Sequence, residues 1–458
     1  MSHTHEVPTV RIRRVRTILW LPMVCVGLLL ILMRHVWFVS QWQNYRALAI
    51  IWSLAAGFAA LQWALSWLER PYSVTPEWQD RLDHMKVTVN IPVYNEDHDV
   101  LDRVIYSLFA QTRLPDKVEV VDDGSNEEYS DIRDYWLSNH PEQVEFSWVR
   151  QTNLGKKRAQ VRTFARDDAN IFITLDSDTT LARNAIEEGL KPFADARVQS
   201  VAGIELAWNH DSNLLTRIKS INTVIWQFVT CSAQNVMSGS ILVNRGTFAL
   251  YRADVVRDNV DFYVNETCFG RPFRLGDDSM LTLLALGRGR AVQQQTAVCF
   301  AVYPETFSHT MRQWTRWMRG TSVRTLWRLK YLPMFSWGWW YNFLTTWWYL
   351  AFISLLAVGV VNWHAAIQFM ATALIFSSVW LWISATRALV LQRSDHNWLQ
   401  LLEMIALVPL AAAWMALILR PIRLYGNATM LKQGWVTRQG GAEPVTVTGP
   451  ERELEDST

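Results

Sequence analysis

Two long uncharged segments lie near the start of the chain, and their length predicts membrane spans. Thr17–Met33 and Ala47–Trp67 contain no charged residue, and about 20 apolar residues are enough to cross the hydrocarbon core of a bilayer. Residues 1–16 are rich in arginine, whereas the loop between the two segments carries only Arg34 and Arg46. Because basic residues are in excess on cytoplasmic flanks, we expect a cytoplasmic N-terminus. The first apolar segment is followed by Arg34 and His35 rather than by a small-residue cleavage site, so we expect it to be retained.

A second apolar region predicts further spans towards the C-terminus. Trp337–Val361 and Ala365–Thr386 are long enough to cross a bilayer. Met404–Leu419 is shorter and is interrupted by Pro409. If this stretch crossed the membrane, the basic residues after it would lie outside, against the usual charge distribution. We therefore predict a re-entrant or in-plane helix here, followed by a cytoplasmic tail.

Between the apolar regions, short β-branched runs alternate with polar, helix-compatible stretches. Strands that alternate with helices predict an α/β domain with a doubly wound, mainly parallel sheet. In such a sheet ligands bind at the carboxyl ends of the strands, so the residues that follow each strand are candidates for chemistry. The predicted strands include Val87–Ile91, Val118–Val121 and Ile171–Leu175, and the predicted helices include Asp99–Gln111 and Ala182–Ala194.

Two stretches mix apolar and basic residues at helical spacing. Asn213–Ser232 lies within the predicted α/β domain, and Met311–Tyr331, which is rich in arginine and tryptophan, follows it. Amphipathic helices of this kind lie in the membrane surface and contact lipid head groups. The alternative is that both are solvated helices packed on the α/β domain.

The amino-acid composition narrows the possible functions. Half of the residues are hydrophobic, and the chain has 25 tryptophans, whose rings favour membrane interfaces and sugar-binding surfaces. The net charge of +2 does not indicate nucleic-acid binding. The cysteines form no CxxC pair, which argues against a zinc site or a disulfide framework and is typical of a reducing compartment. They are Cys25, Cys231, Cys268 and Cys299.

Two groups of carboxylates directly follow predicted strands. At Asp122-Asp-Gly-Ser125, paired carboxylates can accept hydrogen bonds from a ribose or a uracil, and the glycine permits a tight turn. At Asp176-Ser-Asp178, alternate residues project to one side, so both carboxylates can face one Mg²⁺ or Mn²⁺ ion. Such an ion would neutralise a departing nucleoside diphosphate. Taken singly, each motif is also compatible with a structural turn or a solvated loop.

A third acidic motif, Gly276-Asp-Asp278, is a candidate for proton transfer. The sugar hydroxyl that attacks an anomeric carbon must lose its proton, and a positioned carboxylate can accept that proton. We predict that Asp278 is this base. The alternative is that one aspartate caps a helix over Ser279–Leu286, and the two roles are compatible with each other.

Basic and aromatic residues complete the candidate site. Gly155-Lys-Lys157 and the adjacent Arg158 are predicted to form a turn whose cationic groups can meet a diphosphate. Gln313-Trp-Thr-Arg316-Trp317 places an amide, a guanidinium and an indole on one short helix. The guanidinium can bind phosphate oxygens, and the indole can stack on an acceptor sugar. Binding of anionic lipid is the alternative for this helix.

In this order the motifs resemble those of family 2 processive glycosyltransferases, which include cellulose, chitin and hyaluronan synthases. The resemblance covers essentially the whole chain, and finer features are similar to bacterial-type hyaluronan synthases. The family motifs are Val93-Tyr-Asn-Glu96, Asp122-Asp-Gly-Ser125, Asn153-Leu-Gly-Lys156, Asp176-Ser-Asp178, Gly276-Asp-Asp278 and Gln313-x-x-Arg316-Trp317. The finer features are Asn213-Leu-Leu-Thr-Arg217, Ala233-Gln-Asn-Val236, Ile241-Leu-Val243, Tyr251-Arg252, Asn265-Glu-Thr267 and Trp435-Val-Thr-Arg438.

The resemblance implies a GT-A domain that transfers sugars from UDP-sugars with inversion and exports the polymer through a channel of its own membrane segments. It implies that Asp278 is the base, and that Asp176 and Asp178 serve Mg²⁺ or Mn²⁺ and the diphosphate. It also implies that UDP-GlcNAc, UDP-GlcA, the nascent polysaccharide and membrane lipids are the partners. The other substrate-binding residues that it implies are Tyr94, Glu96, Asp122, Asp123, Lys156, Asp277, Gln313, Arg316, Trp317, Trp435 and Arg438.

Three positions depart from the family pattern. Asn244-Arg-Gly-Thr247 replaces the usual Cys-Ser-Gly-Pro near the acceptor, Ser279 stands where an arginine is common, and Val436 replaces a glycine. Because the first departure concerns the acceptor pocket, a synthase of chitin, chitooligosaccharide or another capsular polysaccharide is the nearest alternative. A non-catalytic membrane module for polysaccharide binding or export is the alternative outside enzymes. The complete carboxylate set argues against it.

These patterns predict a multi-pass protein of the plasma membrane with a cytoplasmic catalytic domain. A transporter is disfavoured because the predicted spans lack ionisable residues. The predicted divisions are a basic cytoplasmic N-terminus (1–16), two transmembrane helices (17–67), the GT-A domain (85–310), interfacial helices (311–336), C-terminal transmembrane or re-entrant helices (337–420) and a cytoplasmic tail (421–458).

Overall fold

A computed structural model describes residues 7–13, 26–27, 46–347, 349 and 362–432 of the chain. Nearly all of the predicted span Thr17–Met33 and the second half of Trp337–Val361 lie outside these residues. The tail residues Trp435 and Arg438, which are predicted to bind substrate, also lie outside them.

An eight-stranded mixed sheet forms the centre of the described structure, with the strand order β4-β3-β2-β5-β8-β7-β11-β6. The strands are β1 (Val10–Ile12), β2 (Val87–Val93), β3 (Lys117–Asp122), β4 (Glu145–Arg150), β5 (Ile171–Leu175), β6 (Thr179–Leu181), β7 (Val198–Ala207), β8 (Phe248–Arg252), β9 (Thr267–Cys268), β10 (Arg271–Pro272), β11 (Arg290–Ala301) and β12 (Leu391–Arg393). Strands β2 to β5 pair in parallel, as do β7 and β11, whereas β8 and β6 run antiparallel to their neighbours. The predicted α/β class and mainly parallel pairing are confirmed.

Both faces of the sheet are buried, because side chains alternate between two hydrophobic clusters. In β5, Ile171 and Ile173 pack into one cluster, while Phe172 packs into the other. In β8, Leu250 packs into the same cluster as Ile171, and Tyr251 packs into the same cluster as Phe172. Successive side chains of a strand point to opposite faces, so this division places apolar layers on both sides, as a doubly wound sheet requires.

Helices occupy most of the remaining described chain. They are α1 (Arg46–Ser66), α2 (Pro76–Asp83), α3 (His98–Phe109), α4 (Ser130–Asn139), α5 (Lys156–Phe164), α6 (Ala185–Leu190), α7 (Leu214–Ile225), α8 (Ser232–Ser238), α9 (Ala253–Arg257), α10 (Val260–Val264), α11 (Asp277–Arg288), α12 (Phe307–Tyr331), α13 (Trp363–Ala385), α14 (Trp398–Trp414) and α15 (Arg420–Ala428). Residues 337–347 are also helical. One π-helical turn joins α7 to α8, and another joins α14 to α15.

The last apolar stretch forms one continuous helix. It runs over Trp398–Ala428 and has 31 residues, and an 18-residue window of it has a mean hydropathy of 2.2. By length and composition it is the one helix in the described ranges that can cross a membrane. Pro409 lies inside α14 and does not end it. The helix therefore continues well beyond the 16 uncharged residues of Met404–Leu419, and its placement across or within a membrane stays a prediction.

Helix α7 joins the sheet to the long apolar helix. Ile218 of α7 belongs to one hydrophobic cluster with Ile204 and Leu206 of β7 and with Val408 of α14. Burying apolar side chains in this way is the main favourable contribution to packing. A two-stranded ribbon of β1 and β12 lies at the same junction. The carboxyl end of β7, α7 and the second half of α14 are thus held against one another.

Candidate active site

Carboxylates from two separate segments converge on one lysine beside the sheet. Lys156 Nζ lies 2.6 Å from Asp176 Oδ1 and 2.9 Å from Asp277 Oδ2. Gly246 marks the space that they share: a Cβ on it would lie 3.4 Å from Lys156 Nζ, 3.5 Å from Asp278 Cβ and 3.7 Å from Asp176 Oδ2. Together with the nearby Asp178, these aspartates form what we call the carboxylate cluster (Asp176, Asp178, Asp277 and Asp278).

Burial and the crowding of like charges shift the pKa values of this cluster. Burial raises the pKa of Asp176 to about 6, and the charges of Asp178 and Asp277 add to the effect while Lys156 opposes it. Burial and the charge of Asp277 likewise raise the pKa of Asp278 to about 6. Burial also acts to raise the pKa of Asp277, but Lys156 lies so close that the pKa falls below its ordinary value. The site thus holds more negative charge than Lys156 balances.

Helix α12 contributes Arg316 to the surroundings of the cluster, and its other motif residues make separate contacts. Arg316 interacts electrostatically with all four carboxylates, and burial lowers the pKa of its guanidinium. Gln313 Oε1 accepts a hydrogen bond of 3.1 Å from Lys219 Nζ of α7. Trp317 is 42% exposed and makes an edge contact with Trp314, with ring centroids 5.3 Å apart. The helix therefore combines a cation that faces the cluster with an accessible indole.

Asp122 and Asp123 are buried at the carboxyl end of β3, where their oxygens organise the surrounding loops. Asp122 Oδ1 accepts a hydrogen bond from the backbone of Ser125. Asp123 accepts hydrogen bonds from the backbone nitrogens of Leu154 and Gly155, at 3.0 and 2.8 Å. The pair thereby ties the β3 loop to the segment that begins α5. This arrangement brings the predicted uridine-binding residues close to Lys156, and their contact with uridine stays a prediction.

Glycine is the one residue type that the loop after β3 accommodates at position 124. Its φ is +76°, and a Cβ there would lie 2.7 Å from the backbone nitrogen of Asn153. Glycine alone adopts such a conformation without strain and leaves room for the close approach. The predicted tight turn is confirmed.

Glu96 and Tyr94 follow β2 at the same edge of the sheet. Glu96 is buried, and its Oε2 accepts a hydrogen bond of 2.8 Å from Ser177 Oγ, inside the Asp176-Ser-Asp178 motif. Tyr94 is half-buried directly after the last residue of β2. The loop after β2 is therefore attached to the motif that contributes two carboxylates to the cluster.

A basic pocket lies at the beginning of α5. Gly155, Lys156, Arg158 and Arg274 line it, with Lys157, Leu154 and Val264 completing its wall. Cationic side chains at a helix N-terminus are suited to phosphate groups. Lys157 was predicted to meet a diphosphate together with Lys156. Its ammonium is instead buried and lies 2.6 Å from Glu266 Oε2.

The helix that contains Asp278 begins earlier than predicted. Helix α11 starts at Asp277, and its N-cap is Gly276, with φ +70°. The alternative in which an aspartate caps a helix over Ser279–Leu286 is therefore wrong, because both aspartates lie within the first helical turn. A carboxylate in this position is stabilised by the helix dipole.

Sequence reasoning assigned no role to a buried network that connects α11 to α12. The Arg324 guanidinium lies 2.7 Å from Glu266 Oε1, and both side chains are almost fully buried. The same guanidinium donates hydrogen bonds to the carbonyls of Leu275 and Gly276. Glu266 belongs to the noted Asn265-Glu-Thr267 motif, but nothing in the motif indicates its partner 58 residues away.

The Asn244–Thr247 segment, which departs from the family pattern, borders the cluster and Lys156 at Gly246. The backbone nitrogen of Asp176 donates to the carbonyl of Thr247 at 3.3 Å. Arg245 forms a buried ion pair of 2.8 Å with Glu205, which also accepts a hydrogen bond from the Tyr303 hydroxyl. The Arg245 guanidinium is thus held by Glu205 and does not enter the carboxylate cluster.

This fold and site define a glycosyltransferase of the GT-A type. A family model described as glycosyl transferase family 2 matches residues 88–259, and the chain belongs to this family. A hyaluronan synthase from Streptococcus pyogenes serotype M1 is 30% identical, over 83% of this chain and 88% of the relative. An N-acetylglucosaminyltransferase from Azorhizobium caulinodans is 27% identical, over 77% of this chain and 87% of the relative. The predicted resemblance to hyaluronan synthases is confirmed.

One solved structure supports the fold. A mannosyltransferase from Pyrobaculum calidifontis, solved in complex with GDP-Man and Mn²⁺, superposes with a TM-score of 0.50. It is 19% identical, and the match covers 81% of this chain and 99% of that protein. At this identity the match shows a common fold.

Proposed function

We propose that the chain polymerises UDP-sugars into a β-linked polysaccharide, with hyaluronan from UDP-GlcNAc and UDP-GlcA as the product. The observation that carries the proposal is the carboxylate cluster, which α12 faces with Arg316 and beside which it exposes Trp317. One helix thus offers a cation for a diphosphate and a ring for a sugar at the same site. The similarity to a hyaluronan synthase along most of both chains supports the choice of product.

In this proposal Asp278 takes the proton of the attacking hydroxyl. Its pKa of about 6 suits a base that is ionised at neutral pH and still accepts a proton in the transition state. Attack from the side opposite the diphosphate converts an α-linked donor into a β-glycoside. Lys156 and Arg316 stabilise the negative charge that develops on the leaving diphosphate. Trp317 stacks on the non-reducing end of the polymer.

The residues present fit a divalent metal ion. Four carboxylates crowd one site, and burial together with neighbouring negative charge raises the pKa of Asp176 and of Asp278 to about 6. Carboxylate oxygens are the ligands that Mg²⁺ and Mn²⁺ prefer. Asp176 and Asp178 would hold the ion, which supplies electrostatic stabilisation of the diphosphate. The Mn²⁺-containing mannosyltransferase of the same fold supports this assignment.

The membrane arrangement belongs to the same proposal. Basic residues 1–16 and the tail lie in the cytoplasm with the catalytic domain, and the apolar helices form the export channel in the plasma membrane. The long helix Trp398–Ala428 packs on α7, which contacts α12 through Lys219 and Gln313. This route connects the apolar helices to the site where the polymer grows.

Product analysis with single donors tests the substrate assignment. Purified protein reconstituted in membranes receives UDP-GlcNAc, UDP-GlcA or both, with Mg²⁺ or Mn²⁺. We expect large polymer only with both donors, and we expect a hyaluronan-specific lyase to digest it completely. The similarity to an N-acetylglucosaminyltransferase favours chitooligosaccharide as the second candidate product. Large polymer from UDP-GlcNAc alone would establish that alternative and exclude hyaluronan.

The acidity of the cluster predicts the pH dependence of synthesis. Burial and neighbouring charge raise the pKa of Asp278 to about 6, so the base is protonated below that pH and becomes available above it. We expect the rate at saturating donor to increase about tenfold for each pH unit well below 6 and to level off above it. Protonation of Asp176, which is assigned to the ion and the diphosphate, would weaken UDP binding. UDP binding measured at each pH therefore separates that effect from protonation of Asp278. A rate that stays constant from about pH 5 to 8 would contradict the role of Asp278.

A further inference from the structure

Three metal-ligating side chains meet at the junction of the sheet with the apolar helix. His210 lies in the turn between β7 and α7, while Asp395 and His396 lie in the turn between β12 and α14. One ligand atom from each residue lies within 4.8 Å of the other two. The imidazole rings of His210 and His396 are tilted by 43° to each other, with centroids 4.3 Å apart. None of these residues belongs to the carboxylate cluster or to a motif that the proposed function uses.

His210 has no hydrogen-bond partner for its ring within the described residues. Both ring nitrogens of His210 are buried, and neither forms a hydrogen bond within the part of the chain that the structure describes. A buried polar atom without a partner costs free energy. One ring nitrogen is an acceptor in the neutral imidazole, so a bound cation removes this cost.

The carboxylate of the group is already oriented by a buried arginine. Arg393 donates to both oxygens of Asp395, at 2.9 and 2.7 Å, and its third nitrogen donates to the carbonyl of Ala207 at the end of β7. Each carboxylate oxygen keeps a second lone pair for a metal. Hydrogen bonds that fix a ligand in this way are typical of metal centres. Asp211 adds negative charge near both histidines and offsets part of the charge of Arg393.

We propose that His210, Asp395 and His396 bind one Zn²⁺-like transition-metal ion, with water as a further ligand. Two imidazole nitrogens and one carboxylate oxygen form a borderline ligand set that suits Zn²⁺ better than Mg²⁺. Ligand atoms of a tetrahedral zinc site lie about 3.4 Å apart, so rotation of exposed side chains such as His396 brings the ligands into place. The absence of a CxxC pair argued against a zinc site, but that argument concerns cysteine ligands, and this group contains none.

The ion would connect two elements that are far apart in sequence. It would link the turn that begins α7 to the turn that begins α14. Helix α7 contacts Gln313 of α12 through Lys219. The ion would therefore fix the position of the apolar helix relative to the catalytic domain. Its role is structural and is independent of the identity of the sugars.

Metal titration of the full chain tests this site. Chelator-treated protein in detergent is kept in millimolar Mg²⁺, which occupies oxygen-ligand sites, and is titrated with Co²⁺ and Zn²⁺. We expect one equivalent of Co²⁺ with visible absorption bands of a nitrogen-containing site, displacement of the Co²⁺ by Zn²⁺, and a higher melting temperature with Zn²⁺. His396→Gln and His210→Gln should each weaken binding at least tenfold. His84→Gln, which changes an exposed histidine on another surface, should leave binding unchanged.

The outcomes separate this site from the proposed enzymatic function. The absence of a Co²⁺ band in the intact protein, or equal uptake by the His396→Gln and His84→Gln proteins, would overturn the proposal. Because the His396 side chain is exposed, its substitution should leave the metal-free protein folded, and the melting temperature without metal checks this. Polymer synthesis with Mg²⁺ is measured in parallel, so failure of the metal site and failure of the synthase assignment are distinguishable.

Discussion

Replacing Asp278 by asparagine should lower polymer synthesis by about 10²–10⁴-fold while leaving UDP binding within a few-fold of the unmodified protein. Asparagine keeps the size of the side chain but cannot accept the proton of the attacking hydroxyl. Lys156 contacts Asp176 and Asp277, so the diphosphate-binding arrangement should remain. Synthesis is followed by incorporation of labelled sugar, and binding is followed by calorimetric titration with UDP and metal.

A matched control separates the role of Asp278 from a general effect of charge removal. Asp80→Asn removes a carboxylate whose side chain is 77% exposed, and we expect unchanged synthesis from it. Asp176→Asn should weaken UDP–metal binding as well as synthesis, because this residue is assigned to the ion and the diphosphate. Full synthesis by the Asp278→Asn protein would remove Asp278 from the role of base.

The central fold was predictable because the strands are buried on both faces and therefore appear as continuous apolar runs. Ile171–Leu175 is a strand over the predicted residues, and Val118–Val121 lies inside the slightly longer β3. The order and direction of strands were not predictable in the same way. Strand β8 pairs antiparallel with both β5 and β7, and a pattern of hydrophobic residues contains no information on which neighbour a strand will find.

The site was predictable where its residues follow strands or belong to motifs. Asp176 and Asp277, about a hundred positions apart, meet at Lys156, and the family resemblance placed all three at the substrate. Lys157 was expected beside Lys156, yet the helical geometry of α5 directs it towards Glu266. The partners of Glu266, like the approach of His210 to His396, depend on how distant elements pack. Neighbouring residue types do not specify such contacts.

Glu266 is the centre of a buried network between α11 and α12. Its carboxylate lies 2.7 Å from the Arg324 guanidinium and 2.6 Å from the Lys157 ammonium, and it accepts a hydrogen bond from the indole of Trp327. Attraction to both cations outweighs the effect of burial and holds the pKa of Glu266 below its usual range. Arg324 in turn binds the carbonyls of Leu275 and Gly276, immediately before the aspartates of α11. The network therefore connects the start of α11 to the helix that contains Arg316.

Removing the charge of Glu266 should destabilise the protein more than any surface substitution. In Glu266→Gln, Arg324 and Lys157 lose their shared counter-charge in a buried site, which costs about 3 kcal/mol and corresponds to a fall in melting temperature of roughly 6–12 °C. Glu77→Gln is the matched control, because it removes an exposed ion pair with Arg81 and should shift the melting temperature by less than about 2 °C. Melting in detergent, followed by tryptophan fluorescence, measures both. Equal melting temperatures for the two variants would mean that the buried network does not hold α11 and α12 together.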